Sequence, residues 1–182
     1  MNKPEIIGYL TQLDSSLTSS AILHVYGSAV VILLDAPDRT SLDIDVAGPY
    51  SVIDQAELAR VAAAAGLPVN PSDPLYEGNH LEWIGPLRLC LPPPGDDVII
   101  LWQGRKLTVR TGSVADFVAS KLIRYDETDR ADIQFLYTQK RFTWESVRES
   151  VERLPELFRY DALVRGNLDD LVRDMRLWEG CE

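Results

Sequence analysis

Leu42-Asp43-Ile44-Asp45-Val46 is the stretch that decides the fold, because two carboxylates alternate with three apolar residues in it. Alternation with a period of two predicts a β-strand, on which residues i and i+2 share a face and lie roughly 7 Å apart. Two like charges held side by side favour a positively charged partner between them, and a divalent metal ion is a suitable one. The alternative is that both carboxylates face solvent from an edge strand while the three apolar side chains pack inside.

The dipeptide Gly27-Ser28 precedes this strand by sixteen residues and follows a second apolar segment, 22–26, which also predicts a strand. A short apolar helix, 29–34, is predicted after it. A glycine at such a turn lets a phosphate approach the backbone, and the start of the helix favours an anion. The alternative is that Gly27 only forms a tight turn and Ser28 only caps the helix.

The remaining elements extend outward from this centre. Apolar residues at helical spacing predict helices, and short apolar runs bounded by Gly, Pro and Asn predict strands. The predicted helices are 4–17, 54–65, 113–125, 130–139, 144–154 and 160–178, and the predicted strands are 80–84, 87–91, 98–102 and 106–110. This order predicts an α/β (α+β) protein, a mixed sheet flanked by helices with a helical C-terminal portion. We expect 1–112 to form the α/β core and 113–182 to pack on it as one compact unit.

Composition excludes several classes of protein. The chain has 182 residues, a formal net charge of −10 and a pI of about 4.7, which argue against broad electrostatic binding of nucleic acid. The sequence has no run of eighteen apolar residues, so no membrane span is expected, and its first residues lack a signal-peptide pattern. We therefore expect a cytoplasmic protein with no membrane partner.

Cysteine and histidine are too sparse for a zinc site or a disulfide framework. Cys90 and Cys181 are far apart, and His80 stands alone in a loop. His24 lies within an apolar strand, which indicates a packed core residue.

The order of three segments carries a resemblance to a known family: Val25-Tyr26-Gly27-Ser28-Ala29, then Arg39-Thr40, then Asp43-Ile44-Asp45-Val46. This order resembles the signature of the nucleotidyltransferase-fold superfamily, in particular the bacterial AbiEii-like and related minimal nucleotidyltransferases. The later stretches 116–124 and 129–133 resemble that family's helix with a lysine and its following segment with arginine and aspartates. Together the matching segments span about residues 22–136.

The resemblance implies a role for each matching residue. A nucleoside triphosphate would be bound by Gly27, Ser28, Arg39 and Thr40. A magnesium ion would be held by Asp43 and Asp45. The phosphates or the acceptor would meet Lys121, with Asp129 or Asp132 beside it as a base or as the lysine's partner. Magnesium would neutralise charge and align the oxygens in a displacement at phosphorus.

Members of this superfamily commonly carry a third carboxylate on a neighbouring strand, and two residues are candidates. Glu82 lies in a predicted strand and Asp97 at the start of another. Each also has an alternative, as a solvated strand residue and as part of a polar loop. Lys121 lies at the edge of an apolar helical face and could instead be solvated, and Asp129 could instead cap a helix. Arg39 could pair with one of the strand aspartates.

Two functions follow from these observations. The first is a magnesium-dependent nucleotidyltransferase that moves a nucleoside monophosphate from a nucleoside triphosphate to an RNA or protein acceptor, as the toxin of a toxin–antitoxin pair with an antitoxin partner. The second is a non-catalytic module that keeps the fold and binds a nucleotide or a protein.

Overall fold

The computed structural model describes residues 1–73 and 75–180, and it divides into two compact units. The first unit comprises Met1–Leu89 and Val98–Thr111, and the second comprises Cys90–Asp97 and Gly112–Glu182. All five strands of the described chain belong to the first unit, and helices alone make up the regular structure of the second. The predicted mixed α/β class with a helical C-terminal portion is confirmed. Its packing as one compact unit stays a prediction.

The first unit contains three α-helices, a short 3-10 helix and five strands. In chain order these are α1 (Lys3–Ser16), β1 (Ala21–Tyr26), α2 (Ser28–Leu33), β2 (Asp43–Ala47), the 3-10 helix Gly48–Tyr50, α3 (Gln55–Ala64), β3 (His80–Ile84), β4 (Ile99–Gln103) and β5 (Leu107–Thr111). The second unit contains α4 (Val114–Lys121), α5 (Glu127–Thr138), α6 (Trp144–Glu152), α7 (Glu156–Arg159) and α8 (Ala162–Glu179).

The five strands form one open mixed sheet in the order β3-β2-β1-β5-β4. Strand β1 is antiparallel to β2 and parallel to β5, whereas β2 is parallel to β3. The register places Tyr26 opposite Asp45, so the turn that follows β1 begins beside the second carboxylate of β2. The same sheet places Glu82 opposite Asp45 on the other side. The topology therefore brings three separate sequence segments to one place.

Helix α1 is fixed to the sheet by an apolar face and by one carboxylate. Asn2 and Glu5 form a capping box at its start, and Ile6, Leu10 and Leu13 are buried at helical spacing. At its other end, Asp14 Oδ1 accepts hydrogen bonds from the backbone nitrogens of Lys106 and Leu107 at 2.7 and 2.8 Å.

His24 is a core residue, as the sequence indicated. Its side chain is 1% exposed, its ring meets that of Tyr50 edge-on at 5.6 Å, and its Nδ1 has no hydrogen-bond partner among the described residues. Burial, aided by the positive charge of Arg110, lowers the pKa of His24 to about 4.

The second unit is organised around α4, all eight of whose residues are buried. Two buried aspartates of this unit pair with arginines that are partly exposed. Asp174 of α8 accepts a hydrogen bond from the hydroxyl of Tyr125 at 2.7 Å and two from the guanidinium of Arg130. Asp116 of α4 forms an ion pair with Arg153. These contacts connect α5 to α8 and α4 to the end of α6.

Several predicted elements differ from the structure, among them the helix predicted at 130–139, which begins at Glu127. The segment 87–91 is not a strand: Gly85 and Arg88 close a turn by a backbone hydrogen bond, and Leu87 is 82% exposed. The predicted helix 113–125 ends at Lys121, and Tyr125 adopts a left-handed conformation with φ of 52°. The predicted helix 160–178 begins only at Ala162, after the separate short helix α7.

Within residues 1–73 and 75–180, every helix is too short or too polar to cross a membrane.

Candidate active site

The candidate active site consists of Asp43, Asp45 and Glu82, which we call the carboxylate trio. Asp43 and Asp45 share one face of β2 because they are two residues apart on a strand. Glu82 is the register partner of Asp45 on the parallel neighbour β3, so its side chain lies on the same face. One oxygen atom from each of the three side chains lies within 4.8 Å of the other two. All three side chains are partly exposed, which leaves them accessible to an ion or a substrate.

Gly27 lies directly against this trio. Its φ is 67° and its ψ is −158°, a backbone conformation that strongly favours glycine. A Cβ atom at this position would overlap Oδ2 of Asp45 and would lie 2.9 Å from its Cγ. Glycine is therefore required twice, by the backbone conformation and by the close approach of the carboxylate. The turn and the acidic strand that the sequence singled out form one site.

No family model, curated protein or solved structure matches this chain. The chemistry of the site is therefore derived from its own residues. Three carboxylate oxygens within 4.8 Å of one another offer the hard oxygen ligands that magnesium and manganese prefer. The described residues contain no other group of three or more potential metal ligands of this kind.

Arg39 and Ser28 connect the loop before β2 to the glycine turn. The Nη2 atom of Arg39 donates to Oγ of Ser28 at 2.5 Å, and its Nη1 donates to the backbone oxygen of Thr40 at 2.7 Å. The loop that carries Arg39 is compact, with left-handed conformations at Asp35 and Asp38. Thr40 itself is exposed. Arg39 thus places a cation and a fork of hydrogen-bond donors beside the turn.

Two partners of the trio were not found by sequence reasoning. The hydroxyl of Ser41 donates to Oδ1 of Asp43 at 2.6 Å, and Nη2 of Arg88 donates to Oε1 of Glu82 at 2.9 Å. Ser41 lies two residues before Asp43, a spacing that is common in loops and carries little information. The contact of Arg88 was not predicted because its segment was predicted as a strand. In the structure the segment forms a turn, which directs Arg88 back toward Glu82 of β3.

The structure places Glu82, and not Asp97, in the trio. Glu82 is fixed there by the strand register with Asp45. Asp97 precedes β4 and is exposed. Of the two candidates for the third carboxylate, the one on a strand beside β2 is the one that meets the two aspartates.

Lys121, Asp129 and Asp132 form a buried ionic cluster within the second unit. Lys121 Nζ lies 2.6 Å from Oδ1 of Asp129 and 3.0 Å from Oδ2 of Asp132, and the three side chains are between 2% and 5% exposed. Arg124 adds a bidentate contact to Asp129, and the backbone nitrogen of Asp129 donates to the side chain of Asp126. The helix cap is thus Asp126, and Asp129 pairs with the lysine.

The pKa of Asp129 is lowered in this cluster. Desolvation by burial acts to raise it, but the hydrogen bonds from Arg124 and the charge and hydrogen bond of Lys121 outweigh that effect. The carboxylate is therefore ionised at neutral pH, and the lysine is held between two acidic residues. This arrangement fits the expectation that an aspartate is the lysine's partner.

Proposed function

We propose that this protein is a magnesium-dependent nucleotidyltransferase, which transfers a nucleoside monophosphate from a nucleoside triphosphate to an acceptor hydroxyl. The observation that carries the proposal is the carboxylate trio against Gly27, on the strands and turn where the sequence resembles minimal nucleotidyltransferases. The resemblance rests on motif order, and the geometry supports it, because the two motifs meet in space through the pairing of β1 with β2.

A divalent cation fits the trio on the basis of its ligand chemistry. Asp43, Asp45 and Glu82 each offer an oxygen, and all three oxygens lie within the span that one ion or an adjacent pair can bridge. Such an ion, when bound, would neutralise negative charge on the triphosphate and on the reacting phosphoryl group. The partial exposure of the trio leaves room for substrate oxygens among the ligands.

The reaction that this site supports is an in-line displacement at the α-phosphorus. The acceptor hydroxyl oxygen forms a bond to the α-phosphorus, and the bond from that phosphorus to the oxygen bridging to the β-phosphate breaks. Pyrophosphate leaves with the electron pair, and the hydroxyl proton passes to water or to a carboxylate. Gly27 leaves space at the turn, while Ser28 and Arg39 provide a hydroxyl and a guanidinium for the phosphates.

The acceptor and the biological setting follow from the resemblance alone. We propose an RNA or a protein as the acceptor, a toxin–antitoxin pair as the setting and the cytoplasm as the location. The net charge of −10 makes a protein acceptor easier to explain than RNA, since broad electrostatic attraction to a phosphate backbone is absent.

The alternative is a non-catalytic module that binds a nucleotide or a protein. A site without a third carboxylate would favour this module, but Glu82 lies beside Asp45.

A thermal-shift experiment separates a protein that binds a nucleotide at the trio from a module that binds only a protein. A ligand that binds only the folded state raises the melting temperature by mass action. We expect nucleoside triphosphate with Mg²⁺ to stabilise the wild type, and Asp43→Asn to lose this shift while its melting temperature without ligand stays close to the wild type. Asp169→Asn, at an exposed position of α8, is the matched control and should keep the shift. No shift with any of the four nucleotides would contradict nucleotide transfer and favour a protein-binding module.

A further inference from the structure

The trio has a positively charged partner supplied by the chain itself. Nη2 of Arg88 lies 2.9 Å from Oε1 of Glu82. The Arg88 side chain is 72% exposed, and that of Glu82 is 30% exposed. Glu82 thus forms an ion pair with a side chain that is mostly in water. An exposed ion pair of this kind is weak, so its partners separate readily.

The turn after β3 holds Arg88 close to this carboxylate. The strand ends at Ile84, and the backbone nitrogen of Arg88 donates to the carbonyl oxygen of Gly85 at 3.1 Å. Leu89, directly after Arg88, is buried and anchors the far side of the turn. The backbone of Arg88 is therefore fixed while its guanidinium remains in solvent. The cation is tethered, and its side chain is able to swing away.

We propose that Arg88 competes with the divalent cation for Glu82 and so sets the metal affinity of the site. This inference rests on the proposed function, because it requires the trio to bind a metal. A metal ion at Glu82 and the guanidinium at Oε1 repel each other, so binding of the ion weakens or breaks the Arg88–Glu82 pair. The wild-type chain therefore binds the ion less tightly than a chain without the Arg88 guanidinium would. Arg88 acts through Glu82 and is a positioning residue.

The size of the effect follows from the exposure of the pair. Two unit charges about 4 Å apart attract weakly in a high dielectric, and exposed pairs contribute little. Removing the guanidinium should therefore tighten metal binding roughly three- to tenfold, not by orders of magnitude. The direction of the change in metal affinity distinguishes the two roles of Arg88. Removing a competitor tightens metal binding, whereas removing a side chain that supports the site weakens it.

The experiment measures Mn²⁺ binding to the full chain, with the free ion followed by electron paramagnetic resonance and no nucleotide present. The test variant is Arg88→Gln, and Arg88→Lys keeps the charge. Arg60→Gln is the matched control, because Arg60 is a similarly exposed arginine of the same unit, 3.8 Å from Glu57, a carboxylate outside the trio. Glu82→Gln establishes whether the ion binds at the trio at all.

We expect Arg88→Gln to lower the Mn²⁺ dissociation constant by the stated factor, and Arg88→Lys and Arg60→Gln to stay within twofold of the wild type. If wild type and Glu82→Gln bind Mn²⁺ equally, or neither binds it, the metal site itself is wrong and the proposed function fails with it. If the wild type binds at the trio but Arg88→Gln binds equally or more weakly, only the competition by Arg88 is wrong.

Discussion

The carboxylate of Asp45 fills the space that a side chain on Gly27 would need. A Cβ atom on Gly27 would overlap Oδ2 of Asp45, and the backbone there has a φ of 67°. The glycine turn and the acidic strand therefore constrain each other: the turn keeps its tight conformation only with glycine, and Asp45 keeps its position only beside glycine.

Gly27→Ala should lower both the stability of the fold and the affinity of the trio for Mn²⁺. The backbone conformation alone (φ 67°, ψ −158°), which is essentially confined to glycine, should cost about 1–3 kcal/mol, and relief of the overlap should displace Asp45 and bring the total to about 2–4 kcal/mol. Urea unfolding measures the first effect and Mn²⁺ binding the second.

Gly66→Ala is the matched control for this variant. Gly66 also has a positive φ, 76°, but nothing lies within 4 Å of an added Cβ. We expect it to lose about 1 kcal/mol of stability and to bind Mn²⁺ as the wild type does. Equal stability losses in the two variants would contradict the role of the overlap.

Lys121→Met should destabilise the protein strongly. It leaves Asp129 and Asp132, which are 2% and 3% exposed, without the lysine between them. Breaking a buried ion pair in this way typically costs about 3–5 kcal/mol. Urea unfolding at pH 7 gives the measurement, and Lys121→Met combined with Asp132→Asn should recover part of the loss.

An exposed lysine–aspartate pair provides the comparison. Lys3 Nζ lies 2.7 Å from Oδ1 of Asp35, close to the Lys121–Asp129 distance, but the Asp35 side chain is 78% exposed. Lys3→Met should therefore cost less than about 1 kcal/mol. A cost for Lys121→Met as small as that for Lys3→Met would show that the buried cluster contributes little to stability.

Asp129 should contribute to acid unfolding. Its pKa is lowered in the folded state, so its stabilisation is present above the unfolded pKa, near 4, and is lost as the pH falls through the lower folded value. Asp129→Asn should be less stable than the wild type at pH 6, and the gap should narrow below pH 4. Urea midpoints between pH 6 and pH 3 test this, and a constant gap would contradict it.

His24 should give a separate loss of stability at a higher pH. Its folded pKa is lowered from 6.5 to about 4, so the unfolded chain binds a proton that the folded chain does not. The contribution of His24 to the free energy of unfolding is therefore fully present above pH 6.5. It declines by about 3 kcal/mol in total as the pH falls toward 4. His24→Gln should lack this decline. A signal assigned to the His24 imidazole that titrates near pH 6.5 would contradict the lowered pKa.

The sequence predicted the centre of the fold better than its periphery, for physical reasons. Alternation at 42–46 and the glycine at 27 are local signals, and the strand and the tight turn form where they were predicted. The segment 87–91 has apolar residues at strand spacing, but Leu87 and Arg88 are exposed in a turn, and a run of prolines that cannot extend a sheet follows directly.

Contacts between distant segments could be predicted only in part. Glu82 was a candidate because of its strand, but its selection over Asp97 depends on the parallel register of β2 with β3, which no local pattern encodes. The pairing of Lys121 with Asp129 and Asp132 was accessible because all three lie within two consecutive helices. The contact of Arg88 with Glu82 could not be predicted, since the turn that carries Arg88 was itself predicted as a strand.

The most direct measurement of the central claim is transfer of label from α-³²P nucleoside triphosphates, because the α-phosphate travels with the transferred nucleoside. The protein is incubated with each of the four triphosphates, Mg²⁺ and a cell extract, beside Asp45→Asn and the exposed control Asp169→Asn. We predict that the wild type and Asp169→Asn label an RNA or protein acceptor, and that Asp45→Asn and a chelated sample do not. Absence of labelling by the wild type with all four nucleotides, or equal labelling by Asp45→Asn, would contradict nucleotide transfer at the trio.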